Sequence, residues 1–365
     1  MLVDRLKEAR RLLLMRLDNI GDVVMLSPAL RALRAALPQA HITLLTSPAG
    51  AQVAPLLPWV DDVWVRRVVW QDASSSMPLD PGREQDLVRA LALGDFSAAF
   101  IFTSFSQSPY PPAYACYLAG IPVRIGESKE FGGSVLSHWF AAPPDETHQV
   151  DRNLFLLESA GLPVTRRDLE LRLPGQARRK ADQVLAEAGV GPQRPFLAVA
   201  PGASCPARTY DPARMAEVTR RLVEETGMPA VVLGSPRDAS VAEAVASASR
   251  GRPPVTCLAA RTSVPELAAI LSRARLLVAN DSGPMHVADA FRRPMVILFS
   301  GTDLEDQWRP RAAPARLLRR PTFCSPCYRF ECAYDMECLQ IPPQEVVTNA
   351  LAVLATAEVE SKVAG

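Results

Sequence analysis

The chain has 365 residues, enough for two domains at roughly 100–200 residues each. Its 40 Lys and Arg against 39 Asp and Glu leave a formal net charge of +1, which excludes a global field that would draw nucleic acid or an acidic membrane. Hydrophobic residues at 48% suit a globular protein with a real core, and no apolar run approaches the roughly 20 residues that span a bilayer.

The opening stretch MLVDRLKEARRLLLMRL mixes charges and lacks a small-residue cleavage site, which argues against a secretory signal and for a cytoplasmic protein. Leu2, Leu6 and Ala9 share one side of a short amphipathic helix, read as a surface helix packed on its domain. Strands are predicted at 11–17, 41–46, 62–65, 98–102 and 122–126, and helices near 22–37, 85–93, 111–119 and 149–160. The segment 72–84, rich in Ser, Pro and Asp, reads as a surface loop. The pattern loosens around 161–175. A second alternating run follows, with strands at 196–200, 229–233, 255–258, 275–279 and 294–298. Its helices are predicted at 176–189, 211–226, 238–249, 264–272 and 284–291, and a last one, opened by Pro, at 343–358. The reading is two doubly wound α/β domains in series, 1–172 and 173–342, followed by a C-terminal helix and tail over 343–365.

Ligands bind at the carboxyl ends of strands in such sheets. After the first strand comes Asp18-Asn19-Ile20-Gly21-Asp22. Gly21 permits a tight turn, and Asp22 falls at the N-cap or first turn of the next helix, where a carboxylate is favoured. Plain capping explains one aspartate but not two bracketing a turn. A single glycine rules out the dinucleotide fingerprint, and no Gly-Lys-Ser/Thr follows for a phosphate loop. Carboxylates would repel a phosphate, so this loop suits a neutral nucleophile whose proton an aspartate accepts. The segment 103–114, with Ser104 and Gln107, and the segment 126–134 follow other strands of this domain and are read with Asp18 and Asn19 as the acceptor side.

Three loops of the second half read together as a nucleotide diphosphate site. Gly202 and Ser204 follow a strand and let backbone approach an anion, with Arg208 close behind to grip phosphate oxygens. Asp238 follows another strand and serves either as a ribose ligand or as a helix cap. In Asn280-Asp281-Ser282-Gly283-Pro284-Met285-His286, the amides of Ser282, Gly283 and Met285 are expected to point out of a helix start toward a diphosphate, with His286 as an added donor.

Cys324, Cys327, Cys332 and Cys338 cluster, while Cys116, Cys205 and Cys257 are scattered and read as buried thiols. Four thiols suffice for a tetrahedral Zn²⁺ or an iron–sulfur cluster, though the spacing fits neither usual pattern; reduced or paired local thiols are the alternative.

The stretches RLDNIGDVVMLSPALRALRAALPQAHITLLT, VAPGASCPARTY, VLGSPRD and NDSGPMHVADA, in this order, resemble the family 9 glycosyltransferases, which include the ADP-heptose:lipopolysaccharide heptosyltransferases. LAGIPVRIG, HQVDRNLFLLESAGLP and the cysteine tail extend the resemblance over nearly the whole chain. It implies a GT-B fold, two Rossmann-like domains facing across a cleft, and inverting, metal-independent transfer with no catalytic cofactor. Asp22 is then the base for the acceptor hydroxyl. Arg208 stands where the family usually has a lysine that steadies the diphosphate; the charge is kept, while reach and geometry differ. Asp238 stands where an acid holds the ribose. Ser282, Gly283 and His286 match the phosphate-binding helix start, and Asp281 its leading aspartate. The implied partners are a nucleotide-sugar donor such as ADP-heptose and a lipopolysaccharide or other glycan acceptor, met by a monomer at the inner membrane surface. A sugar-nucleotide epimerase of the same fold would need a second acid/base pair, which the sequence does not offer, and a non-catalytic nucleotide-binding module is the other alternative.

Overall fold

The computed structural model describes residues 2–72, 75–249 and 253–363. They divide into two compact units, falling within Met1–Leu169 and Glu170–Gly365. In the first, β1 (Arg11–Arg16), β2 (His41–Thr46), β3 (Asp62–Val65), β4 (Ala98–Ile101), β5 (Val123–Ser128) and β6 (His138–Ala141) form a parallel sheet in the order β3-β2-β1-β4-β5-β6. In the second, β7 (Leu197–Ala200), β8 (Ala230–Val232), β9 (Val255–Cys257), β10 (Leu276–Asn280), β11 (Met295–Leu298) and β12 (Ala315–Leu318) run in the order β12-β11-β10-β7-β8-β9, again all parallel. Counted from its own first strand, each sheet has the order 3-2-1-4-5-6 of the dinucleotide-binding fold. The two units thus share a topology that no sequence repeat announces.

The central strands are continuous apolar runs because helices cover both faces of a parallel sheet. In the second unit Leu197, Val199, Leu276, Val278, Val296 and Leu298 point to one side. There they meet the helices Pro212–Thr226, Ala239–Ala248 and Pro343–Val363. The C-terminal helix is therefore part of the second core rather than an appendage, with Val346, Val347 and Ala350 fully buried. In the first unit Leu13, Met15, Ala99 and Ile101 pack with Leu87, Leu91, Ala113 and Cys116. The N-terminal helix Leu2–Lys7 rests on this unit through buried Leu6, and Ala9 just beyond it is buried too.

The structure corrects the expected elements in four places. The helix read over 22–37 is two, Ile20–Val24 and Ser27–Ala36, because Pro28 has no N–H to bond back into the preceding turn. The helix before β4 begins at Pro81, capped by Asp80, so the end of the 72–84 loop is helical; residues 73 and 74 of that loop lie outside the described residues. The edge strands β6 and β12 were not expected, since a half-exposed edge strand lacks a long apolar run. Cys257 is only half-buried, on edge strand β9.

One buried carboxylate holds the far side of the second sheet. Asp289 accepts from the amides of Arg311 (2.9 Å), Ala312 (2.9 Å) and Ala313 (2.8 Å), fixing the approach to β12. Replacing Asp289→Ala leaves three inward donors without partners. Denaturant unfolding is expected to show a loss of at least about 2 kcal/mol, and a smaller loss for Asp289→Asn, which keeps one acceptor oxygen.

Candidate active site

Strand order reverses between β1 and β4 and again between β7 and β10, so the loops after each pair diverge and leave an opening at the carboxyl ends. The candidate residues gather at these two places.

In the first unit the organiser is Arg16, the last residue of β1, whose side chain is 0% exposed. Its Nη2 donates to Asp22 Oδ1 at 2.7 Å and to Ser104 Oγ at 3.1 Å, and its Nε lies 3.0 Å from Asp18 Oδ2. Burial alone would lower the Arg16 pKa, but Asp18 and Asp22 outweigh it, and the guanidinium stays charged. Asp18 is pushed above the usual carboxylate range by burial, against the pull of Arg16 and with Asp22 adding to the rise. Asn19 caps the helix Ile20–Val24 and Asp22 is its third residue. The Asn19 amide donates to Asp22 Oδ2 at 3.2 Å, and the Asn19 side chain accepts in return. Both oxygens of Asp22 are thus fixed while the side chain keeps 14% exposure. Gln107, on the loop after β4, donates to Asp18 Oδ1 at 2.5 Å and accepts from the Ser104 amide at 2.9 Å. Asp18, Asn19, Asp22, Ser104 and Gln107 therefore form one network. Gly21 is buried inside the first helical turn.

A third loop braces this turn. Ser47 Oγ donates to the Asp18 carbonyl at 2.5 Å. Gly50 lies against it so closely that a Cβ there would sit 2.2 Å from Thr46 Oγ1 and 2.8 Å from Val23 Cγ2.

In the second unit the organiser is Asn280, the last residue of β10. Its Nδ2 donates to the Pro201 carbonyl at 2.6 Å and its Oδ1 accepts from the Tyr210 amide at 3.2 Å, which ties the loops after β7 and β10. Asp238 Oδ2 accepts from Ser235 N (2.9 Å) and Ser235 Oγ (2.6 Å), completing a capping box. Gly202 meets Asp238 so closely that a Cβ would lie 2.3 Å from its Cγ, so these two loops touch. Ser204 is exposed on the same loop. Ser282 caps the helix Gly283–Ala290, yet its hydroxyl donates to the Asn280 carbonyl at 3.2 Å and no side chain caps the first turn. The expected set of outward amides is smaller by one, because Met285 N donates to the Ser282 carbonyl at 3.0 Å. His286 is buried on this helix.

Arg208 donates through Nε to Thr302 Oγ1 at 2.9 Å and pairs with Asp303. Thr302, Asp303, Asn280 and Arg16 were missed by sequence reading. A charge ending the apolar run RLLLM was the available signal for Arg16; the contacts between loops left none for the others.

The cysteines correct an expectation. None of the seven is in a disulfide. Among the described residues no group of three or more Cys, His, Asp or Glu is placed to hold a metal, so the Zn²⁺ or iron–sulfur site read at Cys324, Cys327, Cys332 and Cys338 is not supported. Cys324 Sγ lies 3.5 Å from Thr322 Oγ1 and Cys332 Sγ accepts from the Tyr334 amide at 3.4 Å, while burial, with Cys332, Cys324 and Cys327 adding to it, pushes the Cys338 thiol up. The segment instead buttresses the loop after β11. Cys327 N donates to the Gly301 carbonyl (3.0 Å) and Tyr328 N to the Thr302 carbonyl (2.9 Å), beneath Arg208.

Two doubly wound units of one topology, each a six-stranded parallel sheet with a switch point in its interior, make a fold of GT-B type. The family model for glycosyltransferase family 9 (heptosyltransferase) matches residues 111–337, and the chain belongs to that family and is a glycosyltransferase. It is 26% identical over 358 residues to lipopolysaccharide heptosyltransferase 2 of Escherichia coli (strain K12), spanning 93% of this chain and 97% of that protein. The solved family 9 glycosyl transferase of Veillonella parvula DSM 2008 aligns with a TM-score of 0.75 at 21% identity, covering 95% of this chain and 97% of the other. The E. coli ADP-heptose lps heptosyltransferase II aligns at 0.74 and 22%, covering 95% and 99%. No helix among the described residues is long and apolar enough to cross a membrane.

Two outcomes are expected. Arg16→Met strands Asp18 and Asp22 without their cation and should destabilise the first unit by about 3–5 kcal/mol in thermal or denaturant unfolding. Burial pushes the Asp281 carboxyl up to about 6 from its ordinary 3.8, with Arg208 opposing and Asp303 adding to the rise. Between these values the folded state binds the proton more tightly than the unfolded one, so stability falls as pH rises through about 6. In nucleotide-free protein, the stability of Asp281→Asn relative to the native chain should increase from pH 4 to pH 7 by up to about 3 kcal/mol.

Proposed function

We propose that this enzyme transfers a heptosyl group from a nucleotide diphosphate donor, ADP-heptose, to the core of a lipopolysaccharide or a related glycan, with inversion and without a metal ion. The observation that carries the reading is the opposite chemistry of the two switch points. The first offers Asp22, a carboxylate locked by Arg16 and the Asn19 amide. The second offers Arg208 and the helix start at Ser282. The likeness to lipopolysaccharide heptosyltransferase 2 and to the ADP-heptose lps heptosyltransferase II of E. coli supports this choice of sugar, nucleotide and glycan.

In this reading Asp22 accepts the proton of the acceptor hydroxyl, and that oxygen forms the new bond to the anomeric carbon. The bond from that carbon to the diphosphate breaks, and its electron pair leaves on the diphosphate oxygen. Negative charge grows there. The Arg208 guanidinium and the amides of Ser282 and Gly283 are the groups suited to stabilise it, in the role a divalent cation plays elsewhere. One displacement at the anomeric carbon inverts its configuration. Asp238, beside Gly202, is assigned to the ribose, with Asp281, Ser204 and His286 shaping the rest of the donor site. Asp18, Asn19, Ser104 and Gln107 are assigned to the acceptor side. The acceptor brings the enzyme to the membrane surface.

The test is Asp22→Ala and Asp22→Asn assayed for nucleotide diphosphate release in the presence of acceptor. Transfer is expected to fall by about 10²–10⁴-fold, the usual worth of a general base. Binding of the nucleotide sugar, read by calorimetry, should hold within about twofold, which is well under 1 kcal/mol. Loss of donor affinity with transfer intact would overturn the assignment.

A further inference from the structure

The acceptor-side unit contains a cavity of about 260 Å³ at the carboxyl ends of β4, β5 and β6. Ser104 and Gln107 stand on its wall, and the same two residues belong to the network around Asp22. Beyond them the wall carries Glu127, Lys129, Glu130 and Arg152.

The two cations of this wall are already occupied. Arg152 gives Nη1 to Glu127 Oε1 at 2.8 Å and Nη2 to the carbonyls of Pro144 (3.1 Å) and Pro143 (3.4 Å). Lys129 pairs with Asp145. That leaves one oxygen of Glu127 and the carboxylate of Glu130 on the wall without a cation from it. Glu127 is 4% exposed, one oxygen takes Arg152, and the other, Oε2, is buried with no donor. Burial pushes the Glu127 carboxyl above the ordinary range, with Arg152 pulling against it. Glu130 stands exposed at the same wall. A buried acceptor without a donor costs free energy until a donor arrives, and a second negative group brought there costs more.

We infer that this cavity is the acceptor subsite and that it selects a neutral, hydroxyl-rich sugar over one bearing a carboxylate or phosphate, with Glu127 accepting from the sugar's hydroxyls. The inference rests on the transferase reading above and adds to it the charge class of the sugar that receives the glycosyl group. Glu127 is a specificity-determining residue in this scheme. Ser104, bonded to the guanidinium that holds Asp22, connects the subsite to the base.

The experiment uses the full chain with ADP-heptose and two acceptor probes, a neutral methyl aldopyranoside and the matching methyl uronoside. Binding of each probe is measured by saturation-transfer NMR without donor, and transfer by ADP release with donor. The neutral glycoside should bind at least about tenfold more tightly, which is about 1.4 kcal/mol. Glu127→Gln should reduce this preference below about threefold and raise the acceptor KM, with the donor KM unchanged. Should Glu127→Gln fail to fold, Glu130→Gln at the exposed wall is expected to improve binding of the uronoside. Equal or tighter binding of the uronoside by the native chain overturns the inference, even where ADP release shows that transfer proceeds. A clear neutral preference with no transfer to any probe upholds the selective cavity and counts against the transferase reading instead.

Discussion

A parallel sheet whose first strand lies in its interior must send its crossovers in two directions. With right-handed crossovers, the connections leaving β1 and β4 pass to opposite faces, as do those leaving β7 and β10. Backbone cannot fill the space that opens where they part. Most of the candidate residues lie at or beside those two openings, where loops end on rigid strands and yet leave room for a ligand. The same constraint, met twice in one chain, yields two openings, each with an arginine held against carboxylates.

Each opening is governed by a buried polar residue that ends a central strand. Arg16 gathers two aspartates and a serine from two loops, and Asn280 ties the end of its strand to both ends of the loop after β7, through the Pro201 carbonyl and the Tyr210 amide. These are costly groups to bury, and each is held by partners that satisfy it. A buried ion pair is weak evidence for stability, but a buried cation shared by two carboxylates and a hydroxyl specifies a single arrangement of all three. In the second unit the cysteine segment adds a second layer, since its amides fasten the Thr302 loop on which Arg208 leans.

The central strands, most helices and the three loops of the second unit were legible because apolar runs, glycines and capping residues are local signals. Asp22, Asp238 and Ser282 could be placed at helix starts for the same reason. What was illegible is non-local. Nothing in the spelling of Asp303 says that it meets Arg208 95 positions earlier in the chain. The edge strands escaped because only one side of such a strand is covered. Four close thiols suggest a shared ion, and nothing in their spacing tells that the backbone of that segment is spent on Gly301 and Thr302. Pro28 was visible in the sequence, and its missing amide is what divides the helix read there into two.

That division has a consequence. A helix of five residues has little intrinsic tendency to persist, so the stretch bearing Asp22 takes its orientation from whatever presses on it. Part of that pressure comes from Gly50, where the backbone touches Val23 and leaves no space for even a methyl group. The loop after β2 is therefore a mould for the reactive turn. A side chain gained at Gly50 would tilt Asp22 and, in the proposed scheme, silence transfer without changing any residue assigned to the donor or the acceptor.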